Sequence, residues 1–450
     1  MPTVGSHERP VRVAVVGAGP AGFFTAESLL KSRSPEFEVD LFERLPTPFG
    51  LVRSGVAPDH QKIKSVTHTF EKTAQHQRFR LLGNVTVGKD LSADELSAHY
   101  DQVVYAVGSS TDRRLGIPGE DLLGSHSATA FVGWYNAHPD FSELTFDLNL
   151  ERAVVVGAGN VAIDVARVLL RDREELARTD IAGAAMEALR ASSIREVVLL
   201  ARRGAAQAAF TPAELEHVAE LASIGIRVDP TQLQLDAAQL ELLDDASRKN
   251  VELMRKLAAS PRAADRTLRL EFLVSPLELL GDRSGRVRAV RLERNELIGP
   301  EGLKARGTGA FFELETGLVF RSIGYFGEPL PGVPFDPVAG IIPNVEGRVT
   351  GAPRCYAVGW IRRSACGVIG TNKADAHTVV ERMIEDVEKL GSAPRPASAL
   401  DRLLESRGVK VTGLGHWATL DSLEVAAGVD KGKVREKFVS VAQMLTTLFR

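Results

Sequence analysis

One local pattern, which occurs twice, constrains the fold of this 450-residue chain more than any other feature. Each copy is a short apolar run rich in β-branched residues, then a glycine-rich turn, then a helical stretch: "VAVVGAGPAG" from Val13 and "VVVGAGNVAIDVAR" from Val154. Apolar runs of this kind are typical of strands buried on both faces of a parallel sheet. The sequence therefore predicts two strand–turn–helix units.

The glycines of the first turn predict a cradle for nucleotide phosphates. In such a turn the first glycine allows the tight bend, the second lets the backbone approach a pyrophosphate, and the third lets the helix pack on the strand. The helix N-terminus then offers free N–H groups and the positive end of its dipole. Gly17, Gly19 and Gly22 fit this scheme, and the next strand, from Val39 to Phe42, ends at Glu43. We predict dinucleotide binding here, with Glu43 accepting from a ribose hydroxyl; the alternative is a purely structural turn.

The second copy differs in its third glycine and in its ribose-side residues. Ala162 replaces the glycine, and the strand from Glu196 to Leu200 leads to Arg202 and Arg203 instead of an acid. A guanidinium can make paired charged hydrogen bonds to a 2′-phosphate, which favours NADPH over NADH. The alternative is that both arginines lie in a solvated loop. Two different cradles predict that the chain holds FAD permanently and NADPH transiently, passing hydride between them.

Further patterns predict how the two units are arranged along the chain. Strands are predicted at Gln102 to Val107, within 268–296 around a "GDRSGR" turn, and at "CYAVGW", and a long amphipathic helix at "TNKADAHTVVERMIEDVEKL". Residues 171–194 exceed the usual crossover and must form an extra helix or loop. The boundary between the units is predicted near residues 110–118, and "GEPLPGVPFDPVAGIIPN" as the return crossing.

Composition excludes several classes of protein. A chain of this length, 44% hydrophobic and 25% charged, is typical of a globular protein with at least two domains. A net charge of -3 gives no global field for nucleic acid or anionic lipid, and no apolar run approaches the roughly 20 residues that span a bilayer. We therefore expect no nucleic-acid partner and no membrane anchor. Without an export signal, we expect a cytoplasmic protein.

The two cysteines, Cys355 and Cys366, form no CxxC motif. Their number and spacing argue against a disulfide framework, a cysteine-based zinc site and a dithiol redox centre. We predict no bound metal.

Longer motifs carry a resemblance to a known family. "ERLPTPFGLVRSGVAPDHQKIK", "FVGWYNAHPDF", "VVVGAGNVAIDVARVLL", "ARRG...QAAFTPAEL" and "VGWIRRSACGVIGTN" resemble adrenodoxin reductase and its bacterial NADPH–ferredoxin reductase relatives. The resemblance covers nearly the whole chain. It implies an α/β fold with two Rossmann-like dinucleotide-binding domains of glutathione-reductase-like topology. The NADPH-binding domain, 113–332, is then inserted in a discontinuous FAD-binding domain, 1–112 and 333–450.

The resemblance also implies the reaction and the residues that contact the cofactors. NADPH gives a hydride to FAD, and single electrons then pass to a small iron–sulfur ferredoxin. The implied FAD contacts are Ala21, Glu43, Leu51, Val87, Trp360, Gly367, Val368 and Ile369. The implied NADPH contacts are Arg113, Ala158, Gly159, Asn160, Val161, Arg202, Arg203, Glu214 and Gly367. Since "GVIG" precedes a predicted helix from Thr371, the N–H groups there could stabilise negative charge on a reduced flavin.

His60 and Glu214 are the catalytic candidates. His60 would orient the nicotinamide or relay a proton; the alternative is a histidine that caps a loop. The family pattern "ELRE" is here "ELEH", so His217 replaces a carboxylate expected near His60, which leaves the acid partner of His60 open although Glu214 is retained.

The family pattern "RGPTGVIG" is here "RSACGVIG", which puts Ser364, Ala365 and Cys366 beside the expected flavin ring. We expect Cys366 to be a small buried hydrophobic residue; the alternative is a redox or flavin-tuning role.

Ferredoxins are acidic, so a basic docking face is expected. One segment is rich in basic residues: Arg248, Lys249, Arg255, Lys256, Arg262, Arg266 and Arg269. The alternative is an ordinary solvated helix face. Among rival functions, a thioredoxin-reductase type lacks CxxC and a glutamate synthase small subunit lacks cluster cysteines. A flavin monooxygenase-like enzyme and a catalytically silent NADPH sensor remain as alternatives.

Overall fold

Two parallel sheets flanked by helices organise the computed structural model of this chain. It describes residues 3–235, 240–241, 243–299, 304–391 and 394–450. A seven-stranded sheet is built from the N-terminal and C-terminal parts of the chain, and a six-stranded sheet from the part between them. A three-stranded antiparallel sheet and a two-stranded ribbon accompany them.

The strands, in chain order, are β1 (Val11–Val16), β2 (Phe37–Phe42), β3 (Phe79–Leu82), β4 (Gln102–Tyr105), β5 (Thr111–Asp112), β6 (Ser125–Ser127), β7 (Arg152–Val156), β8 (Glu196–Ala201), β9 (Ile224–Val228), β10 (Arg266–Phe272), β11 (Val274–Gly281), β12 (Val287–Ile298), β13 (Lys304–Glu315), β14 (Leu318–Arg321), β15 (Tyr325–Phe326), β16 (Asn344–Val345), β17 (Arg348–Val349) and β18 (Cys355–Ala357).

The α-helices are α1 (Pro20–Lys31), α2 (Leu51–Ser54), α3 (Gln61–Lys64), α4 (Thr67–Ala74), α5 (Ala93–His99), α6 (Ala128–Tyr135), α7 (Asn160–Leu170), α8 (Arg173–Ala177), α9 (Gly183–Arg190), α10 (Pro212–Glu220), α11 (Asp245–Ala259), α12 (Trp360–Arg363), α13 (Thr371–Glu385), α14 (Ala397–Ser406), α15 (Leu414–Asp430) and α16 (Val441–Leu448). Short 3-10 helices lie at Pro139–Phe141, Ala205–Gln207, Pro230–Leu233 and Val387–Lys389.

The seven-stranded sheet has the order β16-β17-β18-β4-β1-β2-β3, and the five strands from β18 to β3 run parallel. Strand β1 is covered on both faces, because Val13 and Val15 pack into one hydrophobic cluster while Ala14 and Val16 pack into another. This confirms the interpretation of the first apolar run. With β2 on one side of β1 and β4 on the other, the strand order reverses at β1, and α/β sheets bind ligands beyond the carboxyl ends of strands at such a point.

The six-stranded sheet repeats this arrangement in the order β6-β14-β7-β8-β10-β9, with all strands parallel. Here β7 lies between β8 and β14, so its carboxyl end is a second reversal point. The predicted extra structure between residues 171 and 194 is present as α8 and α9.

The two passages of the chain between the sheets run side by side. Strand β5, on the way out, pairs antiparallel with β15, on the way back, at Asp112 with Tyr325 and at Thr111 with Phe326. The six-stranded sheet is therefore an insertion in the unit that carries the seven-stranded sheet, as the predicted fold class required.

One detail of the predicted elements is wrong. The "CYAVGW" strand ends at Ala357, because Gly359 takes a left-handed φ of 75° and Trp360 opens the short helix α12. Between residues 229 and 266 the chain forms a 3-10 turn followed by α11, with residues 236–239 and 242 outside the described range.

Candidate nucleotide-binding sites and the cavity between them

The first glycine turn joins β1 to α1, and two of its glycines are sterically required. A Cβ on Gly17, whose φ is 110°, would lie 2.5 Å from the carbonyl oxygen of Ala106 just beyond β4. A Cβ on Gly22 would lie 2.0 Å from the carbonyl oxygen of Gly17, so the third glycine holds the helix against the strand. Helix α1 begins after Gly19 without a side-chain cap, and Ala21 lies in its first turn. The uncapped amides fit a pyrophosphate.

Glu43 follows β2 and is held against this turn. Its carboxylate accepts from the backbone amide of Ala18 at 3.1 Å and from that of Leu45 at 3.1 Å. Burial raises the pKa of Glu43, although the amide hydrogen bonds oppose this. The acid is thus fixed at the carboxyl end of β2, beside the first turn, where the sequence predicted a ribose acceptor.

The other predicted FAD contacts from the N-terminal part lie near the same turn or are buried. Leu51 opens α2 directly after Gly50, and a Cβ on Gly50 would lie 2.9 Å from the Cα of Gly19, so this loop crosses the turn closely. Val87 is buried in the same hydrophobic cluster as Ala14 and Val16 of β1.

The second glycine turn joins β7 to α7 with the same construction. A Cβ on Gly157, whose φ is 132°, would lie 2.1 Å from the carbonyl oxygen of Ser322, just beyond β14. Around Gly159 a Cβ would meet nothing within 4 Å, and α7 starts there without a side-chain cap. Ala162, at the third position, is fully buried. The turn therefore has open space above its second glycine, where a pyrophosphate requires it.

Arg202 and Arg203 follow β8 with their backbone fixed and their guanidinium groups open. The carbonyl of Arg202 accepts from Asn295 Nδ2 at 2.9 Å, and the carbonyl of Arg203 accepts from the amide of Leu273 at 3.1 Å. Within the described part of the chain, neither guanidinium makes a hydrogen bond or an ion pair. Two uncompensated cations beside a phosphate cradle fit a 2′-phosphate.

A cavity of about 820 Å³ starts at the second turn and reaches the unit that carries the seven-stranded sheet. Predicted residues on its wall are Arg113, Ala158, Gly159, Asn160, Val161, Arg202, Arg203, Trp360 and Gly367. One end of the cavity lies at the six-stranded sheet, where the second glycine turn and Arg202 and Arg203 could bind phosphates. The other end is formed by Trp360 and by Ala365 to Gly367. Residues predicted to contact two different cofactors thus share one wall.

Among the wall residues that sequence reasoning missed are Arg321, the last residue of β14, and Tyr325, the first residue of β15. Tyr325 packs against Trp360 with ring centroids 5.2 Å apart. The indole Nε1 of Trp360 is shielded from solvent and has no hydrogen-bond partner among the described residues. An unpaired shielded donor at the cavity is what a missing ligand would leave. The signal available in the sequence was the position of "SIGY" directly after a buried strand.

The "GVIG" segment forms an open helix N-terminus at the far end of the cavity. Gly367 has a φ of 80°, and α13 begins after Gly370 without a side-chain cap. Val368 is 55% exposed and Ile369 is half-buried. The first three N–H groups of α13 donate to backbone carbonyls within this segment. The segment therefore offers an exposed apolar side chain and the positive end of a helix dipole, which fit an aromatic ring system with a polar edge, as a flavin has.

Cys366 is exposed, so the expectation of a small buried residue is wrong. Ser364 and Gly367, on either side, both have left-handed φ values, 64° and 80°, which turn this segment into the cavity wall. The guanidinium of Arg363 lies 3.2 Å from the Cys366 sulfur. Cys355, by contrast, is buried.

His60 lies between the two units and has two acidic partners. Its Nε2 is 3.1 Å from Glu214 Oε2 and 3.3 Å from Asp164 Oδ1. Burial lowers the pKa of His60, but these two carboxylates raise it to about 9. The partner that the sequence left open is therefore a pair of carboxylates, and His60 makes no capping hydrogen bond to α3. His217 packs beside it, with ring centroids 5.1 Å apart.

Arg167, fully buried, binds the acids around His60 together. It donates to Asp59 at 2.8 Å, to Asp164 at 2.6 Å and to Glu214 at 3.2 Å. Neither His60 nor Glu214 is among the residues that line the 820 Å³ cavity. The link to that cavity is Asn160, which lines it and accepts from the amide of Thr211 at 2.8 Å, at the start of α10.

The basic segment divides into tethered and open side chains. Arg255, Arg262 and Arg266 donate to backbone carbonyls, and Arg269 lies between Glu196 and Glu271. Arg248, Lys249 and Lys256 are exposed, although the Arg248 guanidinium also lies 3.5 Å from the carbonyl oxygens of Leu240 and Leu243. Fewer side chains are thus available for docking than the sequence suggested.

In the described part of the chain, no helix has the length and apolarity needed to cross a bilayer.

Two reversal points, each with an uncapped glycine turn, and a cavity joining them define an oxidoreductase with two dinucleotide sites. A family model for pyridine nucleotide-disulphide oxidoreductases matches residues 11–239. The NADPH-ferredoxin reductase FprA of Mycobacterium tuberculosis (strain ATCC 25618 / H37Rv) is 47% identical, covering 97% of this chain and 99% of that protein. The human mitochondrial NADPH:adrenodoxin oxidoreductase is 43% identical, covering 98% and 93%.

A solved structure of Mycobacterium tuberculosis FprA in complex with NADPH superposes with a TM-score of 0.93 at 46% identity, covering 97% of this chain and 99% of that one. The chain belongs to the pyridine nucleotide-disulphide oxidoreductase family, in the branch of the NADPH–ferredoxin and NADPH:adrenodoxin reductases. The predicted family, fold class and enzyme class are confirmed.

Proposed function

We propose that this protein accepts a hydride from NADPH onto FAD and passes the electrons singly to a small iron–sulfur protein of the ferredoxin type. The observation that carries this proposal is the shared cavity, which extends from the second glycine turn and Arg202 to Trp360 and Gly367. FAD, when bound, supplies the chemistry that links a two-electron donor to a one-electron acceptor. The relatives that match over nearly the full length are reductases, which favours this reading over a flavin monooxygenase-like enzyme.

The first cradle is proposed to hold FAD. The backbone at Gly17, Gly19, Ala21 and Gly22 receives the pyrophosphate, and the fixed carboxylate of Glu43 accepts from a ribose hydroxyl. The remaining proposed contacts are Leu51, Val87, Trp360, Gly367, Val368 and Ile369.

The N-terminus of α13 is proposed to act on the flavin ring through its dipole. The first three N–H groups of the helix already donate to backbone carbonyls, so the positive end of the dipole is what stabilises negative charge placed beside Gly367 and Val368. The dipole is fixed in place, since it belongs to a helix of 15 residues.

The second cradle is proposed to hold NADPH in exchange with solvent. The backbone from Ala158 to Val161 receives the pyrophosphate, and Arg202 and Arg203 bind the 2′-phosphate. Arg113, exposed at the mouth of the cavity, adds a further cation for the phosphates.

His60 and Glu214 are proposed to position the chain around the nicotinamide. Their hydrogen bond joins the loop before α3 to α10, one on each side of the junction between the units. Hydride transfer depends on the distance and alignment of the reacting atoms, so a contact that fixes the two units relative to each other serves the reaction.

Two units follow from this proposal. Residues 1–112 and 333–450 form the FAD-binding domain, and residues 113–332 form the NADPH-binding domain. The supporting observation is the pairing of β5 with β15, which marks where the chain passes between the sheets.

The proposed partner is a small acidic ferredoxin, and the exposed cations of α11, Arg248, Lys249 and Lys256, are the proposed docking side chains. The proposed compartment is the cytoplasm, where NADPH is available and an exposed free thiol such as Cys366 stays reduced.

The test is an anaerobic visible spectrum of the purified protein before and after adding NADPH, with NADH as the paired control. We expect a flavin spectrum that NADPH bleaches much faster than NADH, and that an oxidised ferredoxin restores. A colourless protein, or a flavin that neither nucleotide reduces, would support the silent sensor instead. A flavin that NADPH reduces but ferredoxin does not reoxidise would overturn the acceptor.

A further inference from the structure

Three side chains with metal-ligating atoms meet at the junction between the two units. One nitrogen each from His60 and His217 and one carboxylate oxygen from Glu214 all lie within 4.8 Å of one another. His60 and His217 are half-buried, and the side chain of Glu214 is 11% exposed, so a small solute can reach the group from solvent. Among the described residues, this is the one group in which three or more such atoms lie close together.

The positions of these residues make the convergence a product of the fold. Glu214 and His217 are three residues apart on α10, so their side chains leave the same face of the helix. His60 is supplied from the opposite unit, at the residue just before α3. Its Nε2 is 3.1 Å from Glu214 Oε2, close to the separation of about 3.3 Å that two ligands of one tetrahedral zinc ion have.

The charges around the group favour a cation. The carboxylates of Asp59, Asp164 and Glu214 face it, and the guanidinium groups of Arg167 and Arg171 offset only part of their charge. Asp164 Oδ1 lies 3.3 Å from His60 Nε2 and accepts from Arg167 at 2.6 Å, so it adds negative charge behind the three ligating atoms.

We propose that His60, Glu214 and His217 form a binding site for a divalent transition-metal cation, best matched by Zn²⁺. Two imidazoles and one carboxylate are a common three-ligand set for zinc, and a water molecule completes the tetrahedron. Binding replaces the proton on the His60 imidazole with the cation, and the proton leaves to solvent. The cation would join α10 to the loop before α3, and therefore one unit to the other.

The first experiment measures zinc binding by the intact flavoprotein. The protein, stripped of metal with a chelator, is titrated with Zn²⁺ and analysed for bound zinc after gel filtration, and its zinc-edge X-ray absorption is recorded. We expect one Zn²⁺ per chain, with two imidazoles and oxygen ligands at about 2.0–2.1 Å. No retained zinc, or zinc with fewer than two imidazole ligands, overturns the proposal whatever the variants do.

The second experiment compares His217→Gln with a matched control, His68→Gln. His68 and Glu71 have the same three-residue helical spacing and lie 3.3 Å apart, but both are exposed and no third ligating residue joins them. Loss of a ligand costs at least as much as the roughly 100-fold loss seen on disturbing a residue behind one. We expect His217→Gln to weaken zinc binding by at least about 100-fold and His68→Gln to leave it unchanged. Equal binding by both variants overturns the proposal.

Discussion

The two glycine turns of this chain share their construction and differ in what surrounds them. In each, the first glycine is pressed against the backbone just beyond the neighbouring strand, at Ala106 for Gly17 and at Ser322 for Gly157. The first turn has a fixed acid, Glu43, hydrogen-bonded to two amides, whereas the second has Arg202 with an open guanidinium at the cavity. The same backbone device thus serves two chemically opposite ribose-side groups.

The surroundings of the two turns indicate how one fold can hold one cofactor and exchange another. The first turn packs its third glycine so tightly that no side chain fits, and a loop crosses above it at Gly50. The second turn opens onto a cavity of about 820 Å³, and Arg202 and Arg203 flank it with guanidinium groups that have no partner among the described residues. We read the first as a resident site and the second as an exchanging one.

The largest expected effect is at Gly22, the third position of the first turn, and a much smaller one is expected at the equivalent Ala162. Gly22→Val places atoms against the Gly17 carbonyl and should destabilise the protein by more than about 3 kcal/mol with loss of bound flavin. Ala162→Gly, at the equivalent position, should cost only about 1 kcal/mol, the helix penalty of glycine. Denaturant unfolding and flavin content check both. Equal losses at the two positions would mean that the turns are packed alike.

The arginines should decide the choice of nicotinamide cofactor. Arg202→Ala and Arg203→Ala each remove a charged hydrogen-bond donor to the 2′-phosphate, so kcat/KM for NADPH should fall about 10- to 100-fold. The value for NADH should stay within about threefold. Arg227→Ala, an exposed arginine on β9, is the control and should change neither. A parallel fall with NADH would show that the two arginines act on something other than the phosphate.

The junction between the units should make stability depend on pH. Lys437 is buried, which lowers its pKa to about 7, and lies 3.0 Å from Asp180, which also binds Lys64 at 2.7 Å. Between this pKa and the unfolded value the unfolded chain binds the extra proton, so the free energy of unfolding should rise with pH above 7, by up to about 1.4 kcal/mol per pH unit.

Lys437→Met should remove this rise, and Lys431→Met, at an exposed lysine of the same segment, should keep it. Urea unfolding at pH 7, 8 and 9 measures the slope. A slope that is the same in all three proteins would show that Lys437 does not carry the effect.

The smallest effect on activity is expected at Cys366. Its sulfur lies on the cavity wall, so a bound nucleotide should slow its alkylation by iodoacetamide, while the buried Cys355 stays unmodified. Cys366→Ser should change the rate of flavin reduction by NADPH by less than about threefold, since the size is kept. Mass spectrometry with and without NADP⁺ checks the protection; a rate of alkylation that NADP⁺ leaves unchanged would place the nucleotide elsewhere. A large shift in flavin potential in the variant would favour the tuning role.

The parts of the fold that the sequence predicted are those fixed by local patterns. Strand β1 and the glycine turn after it follow from a run of buried residues and from steric needs of the backbone within a few residues. The crossings were expected from glycine and proline punctuation near residues 110–118 and after Phe326, and their pairing in β5 and β15 was not expected.

The parts that the sequence did not predict depend on contacts between distant residues. Asp164 meets His60 only because α7 of one unit packs on the loop before α3 of the other, and no local signal states this. Cys366 is exposed because of two left-handed residues, and left-handed backbone at a serine such as Ser364 is not readable from residue type. Likewise, Arg255 and Arg266 looked like surface charge but are used to hold backbone carbonyls.

The ribbon of β5 and β15 determines where the inserted segment could be removed from this chain by engineering. Asp112 and Tyr325, where the two ends of the inserted segment leave the parent unit, are paired neighbours in this ribbon. The insert is therefore attached through two adjacent strands. Deleting residues 113–324 and joining Asp112 to Tyr325 through a tight turn would leave the parent sheet with every strand in register, because all seven of its strands lie outside this range. The molecule is thus separable, in its geometry, into a host and a module with adjacent ends.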